Sequence, residues 1–126
     1  MSGSDNTAVM AAFGVAFNRQ DVDAIMALMT DDCVFNSFAG PDICGTHFEG
    51  KDEVRKGIAR IWDVCPDANF GETSSFVSGD RGVSEWLFTG TTRDGERIEV
   101  NGVDIFTFRD GKVAIKDAFR KQRTVG

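Results

Sequence analysis

Tyrosine is absent from this 126-residue chain, and histidine occurs once, at His47. The first absence excludes any mechanism that needs a phenol donor, and the second excludes zinc sites built on several histidines. Cysteine is scarce: Cys33, Cys44 and Cys65 are odd in number and lack C-x-x-C spacing, so no disulfide framework or metal site is expected. Free thiols fit a reducing compartment. Basic charge is also short, with 14 Lys plus Arg against 20 Asp plus Glu and a net charge of −6. Nucleic acid is therefore not an expected partner, because phosphate binding needs a basic surface. No apolar run approaches the roughly 18 residues of a membrane span. Met1 to Val9 lacks the charged-then-apolar pattern of a signal peptide. A cytoplasmic domain with no membrane partner is expected.

What the chain does have is phenylalanine, eleven of them, with two tryptophans and 41% hydrophobic residues overall. Those numbers predict one globular domain over residues 1–126 with a large apolar interior. The first half reads as helix. Val9, Phe13 and Phe17 recur every four residues from about Asp5 to Phe17. Asp21 is placed to cap a short second helix carrying Val22, Ile25, Met26 and Met29. Strands are expected near Cys33 to Phe38, cut off by Gly40-Pro41, and near Cys44 to Phe48. A third helix begins at about Lys51 and ends at Pro66.

The second half reads as sheet. Gly79 to Gly82, Asp94-Gly95 and Asp110-Gly111 are turn signals between segments rich in Phe, Val, Ile and Thr. They divide the chain into four consecutive antiparallel strands at 69–78, 83–92, 96–109 and 112–121. The third is too long to lie flat, and Gly102 and Gly90 are where a bulge is expected. Three helices and a strongly curved, mainly antiparallel sheet make an α+β fold in which the sheet wraps the helices. A conical pocket lined by Phe and Trp is left inside.

Three stretches carry a family resemblance: AVMAAFGVAFNRQDVDAIMALMTDD from Ala8, EGKDEVRKGI from Glu49, and VDIFTFRDGKVAIKDAFRKQR from Val103. They resemble the ketosteroid isomerase and nuclear-transport-factor-two-like superfamily, which includes SnoaL-like polyketide cyclases. The resemblance implies a cystatin-like α+β cone and a homodimer packed through the outer sheet face. It implies no single activity, since catalytic and non-catalytic proteins share this scaffold. By the same resemblance the isomerase's oxyanion tyrosine falls at Phe13 and its general base at Ser37, beside Asn36. Neither position keeps the chemistry. Its second oxyanion donor falls at Asp104, which is kept. The arginine and first aspartate of limonene epoxide hydrolase-like enzymes fall near Trp86 and Phe88, and their second aspartate at Asp117.

Strand alternation speaks independently to the two retained acids. Asp104 shares parity with Phe106 and Phe108, and Asp117 with Val113, Ile115 and Phe119. Both are thus expected on the pocket face, with Lys112, Lys116 and Arg120 on the opposite one. An acid in a phenylalanine-lined pocket loses hydration on ionising, so burial favours its neutral form. Such a group can act as acid or base, or donate to a developing oxyanion. Bland readings stand beside these. Asp104 could simply accept structural hydrogen bonds, and Asp117 could pair with Lys116 or Arg120. His47 reads as a surface residue and the cysteines as small buried hydrophobes.

The expected function is a cofactor-independent pocket enzyme acting by acid–base chemistry on an apolar carbonyl-containing small molecule. Asp104 and Asp117 are its candidate catalytic residues. Phe13, Phe17, Asn36, Trp62, Trp86 and Phe106 are its candidate substrate-binding residues. No metal is expected. The alternative is a non-catalytic module of the same fold that binds a small ligand or dimerises.

Overall fold

The computed structural model describes residues 3–124. Three helices, α1 (Gly3–Asn18), α2 (Val22–Ala27) and α3 (Lys51–Val64), accompany six strands. The strands are β1 (Met29–Asp42), β2 (Gly45–Glu49), β3 (Asn69–Ser78), β4 (Arg81–Thr91), β5 (Arg97–Arg109) and β6 (Lys112–Arg120). They form one unclosed sheet in the order β2-β1-β6-β5-β4-β3. All neighbours are antiparallel except β1 and β6, which run parallel. This is the α+β cone expected from the sequence. Among the described residues no helix is long and apolar enough to cross a membrane.

Local chemistry places each helix. On α1 the buried residues Met10, Phe13, Ala16 and Phe17 repeat at helical spacing and turn toward the sheet. Asn18 then fastens the helix end to the edge strand β3, exchanging two 2.9 Å hydrogen bonds with the Phe70 backbone. The Asp21 side chain caps α2 by accepting from the Ala24 N–H at 3.1 Å. Asp52 and Glu53 sit in the first turn of α3, where the helix dipole favours negative charge. Val54, Ile58 and Trp62 are its buried face.

The hairpins follow their turn residues. Asp110 and Gly111 both adopt positive φ, 53° and 75°, as a two-residue hairpin of this twist requires. Strand β1 outruns its expected end, continuing past Gly40-Pro41 to Asp42. Its register with β6 extends only to Asn36, so the proline lies on a stretch where a missing N–H costs little.

The expected bulges at Gly90 and Gly102 are absent. Strands β4 and β5 pair without interruption from Arg81–Thr107 to Thr91–Arg97. These glycines instead make room for side chains. A Cβ on Gly102 would lie 2.3 Å from the Trp86 ring, and one on Gly90 2.3 Å from Cys65 Sγ. One-residue bulges fall elsewhere: in β3, where Glu72 pairs with Trp86 but Ser74 with Glu85, leaving Thr73 extra, and in β6, where Thr107 pairs with Ile115 but Phe108 with Val113, leaving Ala114 extra.

Candidate active site

Asp104 lies on the inner face of β5, in step with the buried residues Val100, Gly102, Phe106 and Phe108. On β4, Trp86 stands directly opposite Gly102. Because Gly102 has no side chain, the indole can lie across β5, and its Nε1 donates to Asp104 Oδ2 at 3.2 Å. Lys116 Nζ on β6 donates to the other oxygen, Oδ1, at 2.7 Å. Asp104 is 7% exposed and Lys116 2%. The ammonium also lies over two aromatic rings, 4.8 Å from the centre of Phe17 and 5.1 Å from that of Phe35. Asp104 reaches the inner face as alternation requires, yet it has a cation beside it that alternation had placed outside.

The bulge at Ala114 explains the difference. One extra residue reverses the facing of everything beyond it. Lys116, Ala118 and Arg120 therefore point into the cone, and Ile115, Asp117 and Phe119 point out. This corrects the expectation that Asp117 shares the pocket with Asp104. Asp117 sits beside Asn36, which also faces out and is bonded to His47 Nδ1 at 2.7 Å. Burial pushes the Asp117 carboxyl above its ordinary range, while a hydrogen bond from Asn36 opposes the rise. Asn36 and Asp117 thus form an outer-face group with the exposed His47, away from Asp104.

A cavity of about 290 Å³ opens within the cone between the inner sheet face and α3. Lys116 and Arg120 line it, together with Phe35, Phe48, Trp86 and Phe88. A second hollow, about 320 Å³, runs alongside α1 and is lined by Phe13, Phe17, Trp86, Asp104 and Phe106. The Lys116–Asp104 ion pair joins the two. Of the expected binding residues, Trp86 borders both spaces, whereas Trp62 borders neither and packs against Phe17 at 5.3 Å between ring centres. Lys116 and Arg120, expected on the opposite face of β6, line the cavity instead. The small residues Ala114 and Ala118, which flank Lys116 at its own parity, were the one signal of a crowded inner face.

Arg120 stacks on Phe38, 3.7 Å from the ring centre, and lies 4.9 Å from that of Phe88. Burial lowers the affinity of its guanidinium for the proton, with the nearby Cys65 acting in the opposite sense. Cys33 and Cys65 are buried and Cys44 is exposed. Burial raises the Cys33 and Cys65 thiols above their usual range, which disfavours them as thiolate nucleophiles. The expectation of buried cysteines thus fails at Cys44, which lies in the exposed turn between β1 and β2. Among the described residues no group of three or more His, Cys, Asp or Glu could hold a metal ion.

Comparison with known proteins gives the frame for this geometry. A candidate polyketide cyclase from Xanthomonas campestris pv. campestris superposes with a TM-score of 0.84 at 20% identity, over 94% of this chain and 92% of that one. A candidate SnoaL-like polyketide cyclase from Jannaschia sp. CCS1 gives 0.83 at 19% identity, over 94% and 87%. An NTF2-like protein of unknown function from Mesorhizobium loti gives 0.78 at 24%, over 95% and 93%. These likenesses concern the fold. No curated protein matches the chain in sequence. The family model of the SnoaL-like domain matches residues 9–115, so the chain belongs to the SnoaL-like domain family.

Proposed function

We propose that this domain is a cofactor-independent enzyme acting by acid–base chemistry on an apolar carbonyl-containing small molecule, with Lys116 meeting the substrate and Asp104 acting behind it. The observation that carries the reading is the buried Lys116–Asp104 pair on the wall of an aromatic cavity. Lys116 Nζ passes a proton to Asp104 Oδ1, and the freed nitrogen lone pair takes the proton α to the substrate carbonyl. The C–H electron pair forms the new C=C bond, and the carbonyl π pair moves to oxygen. The pair goes from neutral to one positive charge as the substrate becomes an enolate, so the regenerated ammonium faces the new oxyanion. Returning the proton to a different carbon completes an isomerisation. Attack of the enolate on a second carbonyl of the same molecule, with the proton going to the new alkoxide, completes a cyclisation.

Deuterium exchange into 1-phenylbutane-1,3-dione in D₂O, followed by NMR, tests this chemistry. The protein is expected to accelerate exchange above the buffer rate. Lys116→Met and Asp104→Asn, each checked for fold by circular dichroism, are expected to lose about a hundredfold or more of that acceleration. Exchange at the buffer rate, or full exchange in both variants, overturns the proposal. The second reading, a binding module without chemistry, is favoured by one observation: both Asp104 oxygens are already engaged, by Lys116 and Trp86.

The same proposal includes a two-fold homodimer through the outer sheet face, with neither nucleic acid nor membrane as partner. The apolar outer residues support the dimer. A net charge of −6 and free thiols support a cytoplasmic protein that does not bind nucleic acid.

A further inference from the structure

The 290 Å³ cavity is lined by three cations, Arg60, Lys116 and Arg120, and by no aspartate or glutamate. Acids outnumber bases in the chain, 20 to 14, so this local excess runs against the composition. Lys116 is neutralised by Asp104 behind the wall. Arg120 is not neutralised. It is held between Phe38 and Phe88, its Nε is buried without a hydrogen-bond partner, and no carboxylate of the described residues lies within ion-pair distance. Arg60 likewise has no acidic partner among the described residues, and it lies 6.0 Å from the Phe48 ring centre.

A half-buried guanidinium without a counter-ion is costly in a folded protein. Its planar fork matches a carboxylate with two parallel hydrogen bonds. Phe70, Trp86 and Phe88 supply flat apolar walls beside it. The volume sits at the low end for small-molecule sites, which suits one or two fused rings and not a larger skeleton. Arg120 and Lys116 are four residues apart on one strand face, so about 13 Å separates their backbones. A ligand can thus present a carboxylate to Arg120 and a second oxygen toward Lys116.

We infer that this cavity selects a one- or two-ring aromatic carboxylate, held through its carboxylate by Arg120 and through its ring by Phe70, Trp86 and Phe88. The inference narrows the substrate class of the acid–base reading and rests on that reading for the cavity alone. Arg60 adds a second positive charge at the wall and raises the local concentration of anions.

Isothermal titration with 2-naphthoate and its neutral isostere 2-naphthamide tests it. The protein is expected to bind the carboxylate at least tenfold more tightly than the amide. Arg120→Met is expected to remove that preference, bringing the carboxylate down to the affinity of the amide, with a circular dichroism spectrum like the parent's showing an intact fold. Arg120→Lys is expected to keep part of it. Equal affinity for the two compounds, no binding of either at millimolar concentration, or an undiminished preference in Arg120→Met overturns the inference. Naphthoate binding through Arg120 without diketone exchange would remove the catalytic reading and leave this one standing; exchange without any carboxylate preference would do the reverse.

Discussion

At the residue scale, the ion pair inside the cone is the most consequential contact. Lys116 and Asp104 are both nearly excluded from solvent, so each depends on the other to offset lost hydration. Lys116→Met is expected to cost about 3–5 kcal/mol by leaving a buried carboxylate unpaired, read as a fall in the urea midpoint. The double variant Lys116→Met/Asp104→Leu is expected to recover much of that loss, because it removes both charges. A single variant as stable as the parent would show that the pair is not isolated from water. Asp117 behaves in the opposite sense to an ordinary salt-bridged acid. Burial raises its carboxyl, so the native state holds that proton more tightly than the unfolded chain does. The stabilisation is fully present below the usual carboxylate range and is lost as pH rises through the raised folded value. Asp117→Asn is therefore expected to raise the urea midpoint at pH 7 and to leave it nearly unchanged at pH 3. A lower midpoint at pH 7 would mean that the charged carboxylate gains more from Asn36 and Arg81 than burial costs it.

At the scale of single elements, β5 and β6 show where reading by alternation works and where it stops. The unbroken β4–β5 ladder made Asp104 legible from Phe106 and Phe108 alone. In β6 one extra residue reverses every facing from Ile115 onward relative to strict alternation. Nothing in Val113-Ala114-Ile115 announces the bulge, since all three are apolar. The glycines misled in the other direction. Gly102 suggested a bulge, but its conserving of space for the Trp86 ring depends on a cross-strand neighbour that periodicity does not identify. Gly102→Ala is expected to cost about 1–3 kcal/mol through overpacking. Displacing the indole would also break its hydrogen bond to Asp104, so the tryptophan fluorescence should shift along with the denaturation midpoint. An unchanged spectrum would show that the ring has room to spare.

At the scale of the whole molecule, the sheet curves around the helices with one face and leaves the other bare. That outer face carries Val83, Leu87, Val103, Ile105, Ile115 and Phe119, with Leu87 and Phe119 exposed. These residues alternate with Glu85, Asn101 and Asp117 on the same face, and their exposed apolar surface is what the proposed pairing with a second copy would bury. Light scattering is expected to give twice the 13.7 kDa chain mass, and Ile105→Asp is expected to give the single chain. A parent protein that remains monomeric at tens of micromolar would refute the dimer.

The sequence by itself determined the three helices, the succession of strands and the inward facing of Asp104. These follow from short-range rules: helical spacing, caps, turn residues and alternation within an unbroken ladder. Only the tertiary structure decided which charges meet inside the cone. The bulge that turns Lys116 and Arg120 inward is a property of pairing between strands, and the contact between Trp86 and Gly102 depends on register. A lone acid in an aromatic pocket thus became an ion pair beside an unpartnered arginine, because facing is set by the neighbouring strand as well as by the chain's own period.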